Sequence, residues 1–156
     1  MLAIFAAINS IMQEDLKLNN QFCFPIYSLA KELVALYRPI LEGLDLTYPQ
    51  YLVMILIWEN EKMTGSQIGE LLSLDKSTVT PILKRLEQKH LVEKKRCKRD
   101  ERVVYISLTD EGKFMESKAV TVRQQLLEAL PVSMDDLSEL KTFANRVLSN
   151  IRKQQD

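Results

Sequence analysis

One histidine, two cysteines and four glycines among 156 residues leave this chain short of the parts from which most active sites are assembled. A single imidazole, His90, cannot furnish a catalytic relay and a histidine ligand set together, and near a helix C-terminus it reads more simply as a cap. Cys23 and Cys97 stand far apart with no CxxC pair, which argues against a disulfide framework, a zinc site or a thioredoxin-like motif and fits a reducing compartment. Glycine-rich phosphate loops, internal repeats and low-complexity tracts are all missing. No run approaches the roughly 18 apolar residues that span a bilayer, so the chain reads as soluble, without a membrane partner. The apolar opening, Met1 to Ile11, has no basic leading segment and runs into Glu14 and Asp15, so it reads not as a signal peptide but as a helical arm or as a stretch upstream of a start at Met12. Catalysis is disfavoured, no metal or cofactor is expected, and the location expected is cytoplasmic.

What is present is a core-forming composition, 46% hydrophobic and 27% charged, enough for one sizeable core or two small cooperating ones. The net charge of zero hides an asymmetry. Between Lys84 and Arg102 nine basic residues face four acids, and the rest of the chain carries the balancing acidic excess. Basicity gathered in one segment suits a local surface for a polyanion.

Periodicity places the elements. Gln21 to Leu41 reads as a helix with Phe22, Ile26, Leu29, Leu33 and Leu36 at three- and four-residue steps, ending at Gly43. Thr47-Tyr48-Pro49-Gln50 carries a helix-start signature, and the following stretch to Trp58 is apolar nearly all round, as a buried helix requires. Thr64 caps a short helix, Gly65 to Leu72, and after Ser73-Leu74 Asp75 caps another, Lys76 to Lys89. In that helix Val79, Ile82, Leu83 and Leu86 form the inward stripe, and Pro81 predicts a kink or a strongly determined setting. Leu91 to Arg96 and Val103 to Leu108 read as two strands joined by a charged turn. Thr109 restarts a helix reaching about Leu130, and Ser133 with Asp136 caps a final amphipathic helix carrying Leu137, Leu140, Phe143, Val147, Leu148 and Ile151. The fold class expected is mainly α with a small β-wing: a winged helix-turn-helix lobe (47–108) between an N-terminal dimerisation and sensor region (1–46) and C-terminal dimerisation helices (109–156).

A helix fits the DNA major groove, where hydrogen-bonding side chains meet base edges and cations meet phosphates. Lys76, Ser77, Thr78, Thr80, Lys84 and Arg85 supply both on the outward face of the second helix. A hairpin tipped with Lys98, Arg99 and Arg102 can reach an adjacent minor groove, whose negative potential attracts arginine.

Three segments, LTYPQYLVMILIWE (46–59), LLSLDKSTVTPILKRLEQKHLVEKK (71–95) and RDERVVYISLTDEG (99–112), make the sequence similar to the MarR family of bacterial regulators over nearly its whole length. The resemblance implies a homodimer whose terminal helices intertwine and which presents two winged lobes to a palindromic operator in double-stranded DNA as a repressor. It also implies that Asp100 orients Arg102 in the wing. Within the family a further segment, NQFCFPIYSLAKELVALYRPIL (20–41), resembles the cysteine-bearing first helix of the organic-hydroperoxide-sensing repressors, which points to Cys23, Tyr27 and Tyr37 as a redox sensor. Tyr27 lies one helical turn from Cys23. Tyr37 returns to within about 40° of the same face but about 21 Å along the axis, so it meets a partner's Cys23 if first helices run antiparallel.

Peroxide attacks a thiolate, tyrosine hydroxyls can stabilise that thiolate, and sulfenic acid is the first product. No cysteine follows position 97, unlike relatives with a resolving cysteine in the C-terminal half, so a low-molecular-weight thiol is the expected partner of oxidised Cys23. Cys97, between Arg96 and Lys98, reads as an incidental exposed thiol. Two other readings stand beside this one: a regulator released by a small aromatic or anionic ligand at Tyr48, Tyr51 and Trp58, and, remotely, a thiol-dependent peroxidase.

Overall fold

The computed structural model describes residues 15–97, 100 and 102–154. The expected arm at Met1 to Ile11, and Lys98 and Arg99 of the wing, lie outside the described residues. After a 3-10 turn at Leu18–Asn20 come α1 (Cys23–Glu42), α2 (Tyr48–Asn60), β1 (Lys62–Thr64), α3 (Gly65–Leu72), α4 (Lys76–Gln88), β2 (Val92–Arg96), β3 (Val104–Leu108), α5 (Asp110–Ala119), α6 (Val122–Ala129) and α7 (Met134–Arg152). The chain divides into two compact units after Val122.

In the first unit α2 is central, as its all-round apolar sequence requires. Val53, Met54 and Ile57 are fully buried against Leu41 of α1, Ile68 of α3, Leu86 of α4 and Ile106 of β3. The start signals act as read. Gln50 accepts the Thr47 N–H at 3.0 Å, and the Thr64 hydroxyl accepts the Gln67 N–H at 3.2 Å. Asp75 departs from expectation: it holds the N-cap position of α4, but its side chain caps nothing, and its carbonyl takes the N–H groups of Thr78 and Val79. α4 runs unbroken through Pro81, with Val79, Leu83 and Leu86 buried and Ile82 half-buried.

Three helices end in the same way, and glycine has no part in it. Gly43 is right-handed, so α1 does not turn there; the turn is made by Asp45. Asp45, Ser73 and His90 adopt φ of 50°, 53° and 56°. Each donates its N–H three residues back, to Glu42, Glu70 and Glu87, while the next residue, always leucine, reaches five back, to Leu41, Gly69 and Leu86. This is the Schellman pattern. A left-handed non-glycine residue costs on the order of 1 kcal/mol. Packing of the following leucine offsets it, with Leu46 and Leu91 buried and Leu74 half-buried. His90 thus ends α4 through its backbone, not its imidazole.

The sheet has the order β1-β3-β2, both pairings antiparallel. β1 is an addition to the two strands expected: Lys62, Met63 and Thr64 pair with Ser107, Ile106 and Tyr105. Three residues are too few for a period-2 signal, and their pairing is decided by β3. The helix expected from Thr109 to Leu130 is also broken, at Val120 and Thr121. The β-branched run Val120-Thr121-Val122 is stiff against the preceding turn, and the Thr121 hydroxyl bonds the Lys118 carbonyl at 3.4 Å, in competition with the helix.

Two apolar faces find no cover within their own units. Phe22, at the N-cap of α1, and Ile26 and Leu29 within it are exposed, Phe22 by 81%. In the second unit α7, capped by Ser133, buries none of its residues, and Leu140, Phe143, Val147, Leu148 and Ile151 lie open along one stripe.

Gly112 sits so close to Leu91 that a Cβ there would fall 2.0 Å from its carbonyl oxygen, whereas one at Gly43 would meet nothing within 4 Å. Gly112→Ala is therefore expected to destabilise the fold by about 2–3 kcal/mol and Gly43→Ala to be neutral or slightly stabilising, read from denaturant midpoints.

Candidate functional site

Helix α4 and the wing meet at one groove. Lys76 and Thr80 of α4 line it with Asp75, Ser66 and Glu70, and Arg102 and Val104 close it from the wing side, around a volume of about 750 Å³. Ser77, Thr78, Lys84 and Arg85 are exposed as their helical positions require, since the buried positions of α4 are Val79, Leu83 and Leu86. Thr78 and Arg85 border a second, smaller cleft of about 330 Å³ against Thr47, Pro49 and Pro81. The Thr80 hydroxyl donates to the Lys76 carbonyl at 2.7 Å, which leaves its lone pairs outward.

Asp100 shapes the wing turn. Its carboxylate accepts the backbone N–H of Arg102 at 3.0 Å, its carbonyl accepts that of Val103, and Cys97 N–H closes on the Val103 carbonyl at 2.9 Å. The described contact from Asp100 to Arg102 thus runs through the backbone and leaves the guanidinium exposed. Two ion pairs tie α4 to its surroundings: Lys94 of β2 bonds Glu87 at 2.5 Å, and Lys89 bonds both the carboxylate of Asp45, at 2.8 Å, and its carbonyl.

Cys23 opens α1 and is exposed, as is Tyr27 one turn on. Tyr37 is half-buried, its ring 4.5 Å from Tyr48 and 6.0 Å from Tyr51, which in turn lies edge-on to Trp58 at 6.3 Å. Within one chain, then, Cys23 and Tyr37 are not brought together. Burial pushes the phenols of Tyr37, Tyr48 and Tyr51 upward, and for Tyr37 the neighbouring Tyr48 and Tyr51 add to it. Sequence reading did not join Tyr48 to Tyr37: it belongs to the next helix, where no periodicity connects the two.

The aromatic trio proposed for a small ligand is mostly structural. Tyr51 is buried, and the Trp58 indole N–H donates to the Gly112 carbonyl at 2.9 Å. Tyr48 does line a groove of about 610 Å³ with Tyr27, Val34 and two cations the sequence reading passed over, Lys31 and Arg38. Cys97 is half-exposed at the wing root. Among the described residues no group of three or more His, Cys, Asp or Glu could hold a metal ion, and no helix is long and apolar enough to cross a membrane.

A helix-turn-helix followed directly by an antiparallel hairpin whose arginine shares the reading helix's groove defines a winged-helix regulator. The family model described as transcriptional regulator SarA/Rot matches residues 35–118. The organic hydroperoxide resistance transcriptional regulator of Bacillus subtilis is 41% identical over 140 residues, 90% of this chain and 95% of its own. Reduced AbfR bound to DNA, a protein of Staphylococcus epidermidis, is 32% identical with a TM-score of 0.77, covering 93% of this chain and 99% of its own; AbfR is also solved overoxidised on DNA and in a disulfide-formed state. A mutant MarR from E. coli complexed with operator DNA is 26% identical with a TM-score of 0.69, over 79% of this chain and 90% of its own. The chain belongs to the MarR/SarA family of transcriptional regulators.

The buried phenols set an alkaline limit. With their folded pKa raised, the stability they contribute is complete below the ordinary tyrosine value of about 10 and is lost as pH climbs past it, because the unfolded chain ionises first. Denaturant midpoints at pH 9 and 11 should fall more for wild type than for Tyr48→Phe.

Proposed function

We propose that this chain is a homodimeric, operator-binding transcriptional repressor that releases DNA when an organic hydroperoxide oxidises Cys23. The observation that carries the DNA half is the groove in which Lys76 and Thr80 of α4 meet Arg102 of the wing, along the edge of the helix's buried residues Val79 and Leu83. α4 enters the major groove, with Lys76, Ser77, Thr78 and Thr80 at base edges and Lys84 and Arg85 on phosphates, while Arg102, with Lys98 and Arg99, serves the adjacent minor groove. The uncovered stripes of α1 and α7 support pairing with a second copy, and the DNA-bound relatives support an operator with two half-sites.

The redox half rests on an exposed Cys23, on Tyr37 held in an aromatic cluster about 21 Å along the same helix, and on relatives named for hydroperoxide resistance or solved in several oxidation states. An antiparallel partner brings its Cys23 to Tyr37, with Tyr48 beside it. The thiolate attacks the peroxide oxygen, the O–O bond breaks, Cys23 becomes a sulfenic acid and the alkoxide takes up a proton to leave as an alcohol. A low-molecular-weight thiol then condenses with the sulfenic acid, forming a mixed disulfide and water. The added bulk breaks the tyrosine contacts, shifts α1 and changes the spacing of the two lobes. One equivalent of peroxide switches one site, so the protein is a sensor and not a peroxidase, and it works in the cytoplasm, where its DNA is.

A second reading has one observation in its favour: the apolar groove at Tyr27, Val34 and Tyr48, flanked by Lys31 and Arg38, suits a small aromatic anion. Promoter DNA from upstream of the chain's own coding sequence separates the two. With cumene hydroperoxide, reduced wild type should lose affinity at least tenfold and Cys23→Ser should not. Equal retention overturns the redox switch, and release of both by an aromatic acid favours the second reading. Arg102→Ala should weaken binding more than tenfold. Tyr37→Phe should slow Cys23 oxidation several-fold, followed by mass spectrometry, while reduced-state affinity holds.

A further inference from the structure

We infer that Asp75 is a specificity-determining residue that reads cytosine in the major groove, an assignment that rests on the DNA-binding reading above. Asp75 stands immediately before α4 and lines the same groove as Lys76, Thr80 and Arg102. Its side chain makes no capping hydrogen bond, and the Thr78 and Val79 N–H groups go to the carbonyl of Asp75 at 2.9 and 3.0 Å. The ion pairs of the described residues join other partners. α4 therefore begins with an exposed carboxylate that serves no structural bond.

A carboxylate on a face meant for phosphates is unfavourable in general, since it repels the backbone that Lys84 and Arg85 attract. It becomes favourable against a donor, and the major-groove edge offers two: the exocyclic amino groups of cytosine and adenine. Adenine sets its amino group beside the N7 acceptor, which repels a carboxylate, whereas cytosine presents the donor alone, and Asp is one of the side chains that pairs with cytosine N4. The position also suits the task, because the N-terminal residues of a recognition helix are the ones that contact base edges. Glu70, the other carboxylate of this groove, belongs to α3, the helix that in such motifs crosses the backbone. The inference accordingly falls on Asp75 alone. An acceptor among donors makes the reading face selective: opposite the acceptor edges of guanine and thymine the carboxylate is left desolvated and unpaired, and at adenine it also meets N7.

The test is selection of a randomised double-stranded DNA library by the reduced full-length protein, comparing wild type with Asp75→Ala and Asp75→Ser, each checked for folding by circular dichroism. Ser restores a competent cap without a charge. Wild type is expected to enrich cytosine at one position of each half-site. Both variants should lose that preference by on the order of tenfold, keep their preferences elsewhere, and bind unselected DNA more tightly. Three outcomes overturn the assignment: the cytosine preference surviving in both variants, preferences falling evenly at every position, or Ser restoring what Ala loses, which would make Asp75 a cap. A wild type that enriches no sequence at all overturns the DNA-binding reading with it.

Discussion

The carbonyl of Leu91 is where the reading lobe is tied together. It accepts the N–H of Thr109 at 3.2 Å and leaves room for nothing larger than a hydrogen on Gly112. Thr109 spends its hydroxyl twice, donating to the His90 carbonyl and accepting the Gly112 N–H, and Gly112 hands its own carbonyl to the Trp58 indole. Four contacts within a few residues thus join the end of the reading helix, the strand leading into the wing, the first turn of α5 and the central helix α2. Because Leu91 also closes the α4 terminus onto Leu86, the orientation of α4 and of β2 is decided at the same point.

Around that point the lobe uses paired charges to hold what packing leaves loose. Glu87 and Lys94 link α4 to β2, and Lys89 links the other side of its last turn to Asp45, the left-handed residue that ends α1. Exposed pairs contribute roughly 0–1 kcal/mol each, so neither determines the fold. Their placement matters more than their strength: the last turn of α4 touches both the wing and the terminus of the helix that begins at Cys23.

Much of this was legible before any coordinates. Capping residues at Thr47, Thr64 and Ser133 and the buried stripe of α4 are local signals, and local chemistry decided them. Three of the misses come from contacts that no spacing shows, whereas the break at Val120-Thr121 and the uncapped Asp75 are local. Three-residue β1 exists because β3 offers it hydrogen bonds. Gly43 invited a helix end that Asp45 supplies instead, since the hydrophobic contact of Leu46 outweighs the penalty of a left-handed aspartate. Tyr48 could not be joined to Tyr37 by spacing, because the link is tertiary. For the reading face, every outward residue of α4 could be assigned from its helical position, while the contact through which Asp100 sets the wing turn depends on backbone geometry that composition does not reveal.

The open stripes of α1 and α7 bear on how such a switch behaves at low copy number. Under the dimeric reading, a lone chain has one lobe for an operator of two half-sites and a Cys23 that its own Tyr37 cannot reach. Recognition and responsiveness then appear together, at the protein concentration where chains pair. A regulator of this kind does not pass through a population that binds its operator but is deaf to its signal. If it also represses its own synthesis, the abundance it settles at is held near the threshold where it first becomes able to listen.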